Sequence, residues 1–159
     1  MKKRWILLAL LLLILLPHAA LAEDNLIKNG GFEESTDTAI PASWSRDAWV
    51  TSTGASECEL VDGGYEGGRC IMIRNNQPND ARLVQRVAVE PDSCYQIRCL
   101  VRAENVGEGA SGACISIENT FSDSAYAYDT GAGWQELTLT GITGEDQTEL
   151  VVMARLGGY

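Results

Sequence analysis

The chain's apolar positions follow two patterns that meet near residue 22. Residues 5–16 are an unbroken apolar run. Beyond residue 22, apolar residues instead recur at every second position in short segments. In 81–89, Leu83, Val87 and Val89 share one face and Arg82, Val84, Arg86 and Ala88 the other. Tyr95, Ile97, Cys99 and Val101 alternate with Gln96, Arg98, Leu100 and Arg102. The same period runs through 113–118, 136–140 and 150–156, and shorter candidates are 57–61 and 69–73. Side chains alternate across a strand, so each segment predicts a half-buried β-strand. No segment after residue 22 sustains a helical period.

Turn residues punctuate these segments: the Asn, Pro and Asp of 75–80, Glu90-Pro-Asp-Ser93, the glycine-rich 107–112, and 141–147. Many short strands separated this way predict an all-β fold, an antiparallel β-sandwich of the jelly-roll kind. The expected organisation is a signal peptide over 1–22 and one β-sandwich domain over 23–159.

The signal follows from the first pattern. Lys2, Lys3 and Arg4 precede the apolar run, Pro17 ends it, and Ala20-Leu-Ala22 supplies small residues around the cleavage point. A membrane-spanning helix needs about 20 apolar residues, so cleavage and a secreted or cell-surface location are expected rather than anchoring. Removing the signal takes three basic residues and no acids, leaving nine basic against 22 acidic residues, a charge of −13. Such a chain repels phosphate backbones and anionic lipid, which argues against nucleic-acid partners and against membrane insertion after cleavage.

The only histidine, His18, leaves with the signal, so a Ser-His-Asp or Cys-His arrangement is excluded from the mature chain. Gly107-Glu-Gly-Ala-Ser-Gly112 matches a dinucleotide-binding GxGxxG. That motif requires a following helix, and here a strand pattern follows. Paired carboxylates are available among 22 acids, but nothing singles out a catalytic pair. The chain is therefore expected not to be an enzyme. Cys58, Cys70, Cys94, Cys99 and Cys114 are odd in number, so at least one stays outside any intrachain bridge.

The start of the mature chain carries a more specific pattern. Asn25-Leu-Ile-Lys-Asn-Gly-Gly-Phe-Glu33 is followed by Ile40-Pro-Ala-Ser-Trp44, the turn and strand of 67–73, Leu83-x-Gln85-x-Val87-x-Val89, a strand opened by Tyr95 and another opened by Trp134. In this order the elements resemble the CenC-like carbohydrate-binding modules attached to cellulases and xylanases. The resemblance spans residues 25–159. It implies a jelly roll whose first strand is the NLIKNGGFE segment, and a groove on one sheet that binds polysaccharide or cell-wall glycan. It also implies a structural calcium, for which Glu33 is the candidate ligand, with an exposed strand-end carboxylate as the alternative. The family's closing strand has no counterpart here, so the domain is expected to lack it. Any enzymatic domain is expected in further domains of a longer extracellular protein.

Sugar recognition needs aromatic faces for the apolar side of a pyranose and planar polar groups for its hydroxyls. Trp49, in a polar stretch, is the candidate platform, whereas Trp44 and Trp134 are expected to pack. Tyr126 and Tyr128 share a face if their segment is extended; they either line the groove or form an ordinary exposed strand face. Arg82 and Gln85 are the polar candidates. Their spacing of three puts them on opposite faces of a regular strand, and Gln85 is either a groove residue or a satisfied core amide. The competing reading of the domain is a structural or adhesion β-sandwich without sugar affinity.

Overall fold

In a computed structural model, residues 24–35, 40–107, 111–120 and 122–158 are described. The expected export signal lies outside them. The strands are β1 (Ser45–Ala48), β2 (Ser56–Asp62), β3 (Arg69–Asn75), β4 (Ala81–Ala88), β5 (Cys94–Val101), β6 (Ala113–Ile117), β7 (Gln135–Ile142) and β8 (Glu149–Leu156). All pairings are antiparallel. One sheet has the order β1-β4-β8-β6, while β2-β3 and β5-β7 form two ribbons. Among the described residues the helical content is one short turn at Tyr65–Gly67, and no helix is long and apolar enough to cross a membrane.

The protein is an antiparallel β-sandwich. The core joins Val87, Ile115, Leu150 and Val152 of the four-stranded sheet, and Val89 just past β4, to Leu137 and Leu139 of β7. Tyr95, Ile97, Cys99 and Val101 of β5 pack against it. Burying each such aliphatic side chain contributes about 1.5–3 kcal/mol. Strand β6, expected to be half-buried, buries Cys114 and Ser116 on one face as well as Ile115 on the other. A flanking segment bridges to it through Ser116–Asp123 and Ala113–Ala127, which covers its edge.

Two elements differ from expectation. Strand β1 carries no apolar alternation because it is an edge strand with three exposed residues out of four. The NLIKNGGFE segment, expected as the first strand, is irregular. Asn29 and Phe32 adopt positive φ of 49° and 60°. The Asn29 side chain donates to the Glu34 and Ala42 carbonyls at 2.7 and 3.1 Å and accepts from the Glu34 N–H at 3.0 Å, closing a loop instead of extending a ladder. The strand predicted after the GxGxxG match is β6, so that match has no helix behind it.

Candidate functional site on the four-stranded sheet

Opposed residues in an antiparallel pair lie on one face, so register defines the surface turned away from the core. Asp47, Arg82, Arg155 and Cys114 form one row across β1, β4, β8 and β6. Ser45, Val84, Met153 and Ser116 form the next. The first row is polar, and the second is an apolar floor with a hydroxyl at each end.

Asp80, just before β4, anchors the polar row. Its side chain is 3% exposed. Arg155 grips it with two parallel bonds, Nε to Oδ1 at 2.7 Å and Nη2 to Oδ2 at 2.9 Å, and Arg82 Nη2 lies 3.0 Å from Oδ2. Arg82 reaches on to Asp47 at 3.2 Å, and Arg155 approaches Asp123 at 4.0 Å. Burial opposes the charge on Arg155, and the hydrogen-bonded carboxylate of Asp80 outweighs it, so the guanidinium is held even more firmly protonated than usual. The Cys114 thiol is pushed up to about 12, first by burial and then by the charge of Asp123.

The loop before Asp80 fixes this cluster. Asn79 Oδ1 accepts from the N–H groups of Asp80 at 2.9 Å and of Val50 at 2.8 Å, and its amide donates to the Val50 carbonyl at 3.0 Å. Gly157 closes over the same loop with φ +93°, and a Cβ there would strike the Asn79 carbonyl. One asparagine thus positions both the buried carboxylate and the chain beside Trp49.

Aromatic groups stand at both ends of the row. Trp49 continues β1 by donating its N–H to the Asp80 carbonyl at 3.0 Å, and it is 64% exposed. Strand alternation gives it the face of Asp47. At the β6 end, the Tyr126 hydroxyl donates to Asp123 at 2.7 Å. That bond is the main reason its phenol is raised above its ordinary value. The Tyr126 and Tyr128 rings are 6.3 Å apart. Among the described residues, the buried side-chain polar atoms without a hydrogen-bond partner are Arg82 Nε and Ser116 Oγ, and both side chains belong to this face.

Of the expected site residues, the structure brings Arg82, Trp49, Tyr126 and Tyr128 to this one surface. Gln85 is not among them. It points to the core side, where Oε1 accepts from the Lys28 N–H at 2.8 Å and Nε2 donates to the Lys28 carbonyl at 2.9 Å. It is a satisfied core amide that docks the N-terminal segment, and it lies away from this surface. Trp44 packs on Phe32 with centroids 5.6 Å apart, and Trp134 packs edge-on with Tyr65 beneath the Arg102 guanidinium. Glu33 lies apart from the row: its Oε1 accepts the Arg69 N–H at 2.8 Å. Among the described residues no group of three or more His, Cys, Asp or Glu side chains is placed to hold a metal.

Asp80, Arg155, Asp123, Asp47 and Ser116 were not expected. The period of two in 150–156 sets Arg155 on the face opposite Leu150 and Val152, but only the register shows that it meets Arg82.

No family model matches this chain. The chain is similar to part of a chitinase. Exochitinase 1 of Streptomyces olivaceoviridis is 28% identical over 134 residues, which are 84% of this chain and 19% of that protein. The chain thus spans about a fifth of the relative's length.

Proposed function

We propose that this chain is an exported, non-catalytic carbohydrate-binding module that holds polysaccharide across the outer face of the four-stranded sheet. The observation that carries this reading is the polar row itself. A buried carboxylate with two guanidiniums is seldom more stabilising than apolar side chains of the same volume, and here it stands beside two orphaned polar atoms. Stability alone does not explain such a surface, whereas a ligand rich in hydroxyl groups would pair with the accessible carboxylates at its two ends.

A glycan laid across the strands would stack on Trp49 at one end and on Tyr126 and Tyr128 at the other. Its hydroxyls would donate to Asp47 and Asp123. This needs no reaction and no cofactor. The similarity to a fraction of a chitinase supports a role in polysaccharide attachment within a longer extracellular protein, with β-linked glycans such as chitin as the first candidates.

Retention of the exported domain on immobilised chitin, glucans, xylan and peptidoglycan tests the reading. At least one polymer should retain it, and Trp49→Ala and Tyr126→Ala should each weaken binding about fivefold or more, the scale of one aromatic contact. Absence of retention on every polymer would favour a structural or adhesion domain.

A structural calcium at Glu33 is a separate proposal resting on the family resemblance and on the oxygen chemistry of a carboxylate. Calcium should raise the melting temperature of chelator-treated protein, and Glu33→Gln should abolish the rise. Identical melting with calcium and with chelator removes it.

A further inference from the structure

We infer that this face prefers amino sugars bearing a protonated amine over neutral sugars, and that it disfavours uronates; the inference rests on the glycan-binding reading above. It comes from where the unspent charge lies. Both guanidiniums of the row are committed inside the protein, Arg155 to Asp80 and Arg82 to Asp80 and Asp47. Arg86, further along the same face, is paired with Glu149 at 2.6 Å. The row therefore has three carboxylates to two guanidiniums, on a chain of net charge −10.

The excess sits at the two ends. Asp47 is 54% exposed, with Trp49 two residues on. Asp123 makes only a long 4.0 Å contact with Arg155 and accepts the Tyr126 hydroxyl. Each end thus joins a carboxylate to an aromatic ring, the combination that attracts an ammonium group.

The orphaned Ser116 hydroxyl, 2% exposed, provides an independent sign of a ligand beside Asp123, to which Ser116 is bridged. A uronate would instead bring a second carboxylate to each end.

Titration of the purified protein with matched oligomers of glucosamine, N-acetylglucosamine and galacturonic acid decides the point. At a pH where the amine is protonated, and at low salt, the glucosamine oligomer should bind about fivefold tighter than the N-acetylated one, the scale of a cation–π contact plus an exposed ion pair. The galacturonate oligomer should be weakest. High salt should erase the advantage. D47N and D123N should each reduce it, while the double variant E145Q/D146N, in the exposed β7–β8 turn, should leave it intact. Melting curves check that each variant is folded, and Asp47→Ser and Asp123→Ser replace any that is not. Glucosamine bound no tighter than the neutral oligomer overturns the inference and leaves the glycan reading standing. An advantage lost with E145Q/D146N but kept in D47N and D123N also overturns it, since general attraction to an acidic protein would then be the cause. Binding of neither oligomer would overturn the glycan reading itself.

Discussion

Asp80 balances two guanidiniums in a place nearly closed to water, so truncating it leaves both without their shared carboxylate. Asp80→Ala should cost about 3 kcal/mol of unfolding free energy, the lower end for breaking a buried ion pair. Urea denaturation reads this directly, and a loss below about 1 kcal/mol, the range of exposed pairs, would contradict the account. Cys114 makes a pH prediction. Its thiol rises from 9.0 to about 12 on folding, so the folded state holds that proton more tightly than the unfolded chain. Its contribution is complete below pH 9 and is lost as pH climbs toward 12. Burial raises Cys58, Cys70 and Cys99, and hydrogen bonding to Asp123 raises Tyr126, in the same direction. Comparison with Cys114→Ala isolates the one thiol: the wild-type urea midpoint should fall over this range, and the variant's should fall less. Parallel profiles would contradict the assignment. In the sequence, Asp80 is one polar residue in a turn, and nothing local marks it as buried. Its burial depends on two arginines, one of them 75 positions away.

Strands β4, β5 and β7 were legible because each has one wetter face and one drier face, which writes a period of two into the sequence. Strand β8 keeps that period although Met153 on its outer face is also buried. The pattern was silent for β1, whose residues are nearly all exposed, and incomplete for β6, whose two faces are both covered. At Gln85 it left two readings. The amide sits on an otherwise apolar face because it acts as a ladder partner for Lys28, bonding both its N–H and its carbonyl. Gln85→Ala should therefore release the segment around Lys28 and cost about 1–3 kcal/mol through two unsatisfied backbone groups. Hydrogen exchange at the Lys28 amide should accelerate markedly, while amides in β5 and β7 change only with global stability. Unchanged protection at Lys28 would mean that another contact docks the segment.

At the scale of the whole molecule, the all-β sandwich followed from strand periodicity and turn chemistry, whereas the site depended on cross-strand register. Arg82, Trp49, Tyr126 and Tyr128 were individually visible as groups suited to sugars. The carboxylates that connect them were not, because an acidic chain offers 22 candidates and only folding selects among them. The molecule also presents a second aromatic surface, with Trp134, Tyr65 and Arg102 beside the β5-β7 ribbon. Trp134 there carries Arg102 over its ring, with the centroid 5.5 Å away. Mapping nuclear magnetic resonance shifts with a soluble oligosaccharide of the retaining polymer separates the two surfaces. The account predicts shifts at the Trp49 indole, the Arg82 and Arg155 Nε–H groups and the amides around Tyr126. Shifts concentrated instead at Trp134, Arg102 and Tyr65 would contradict it.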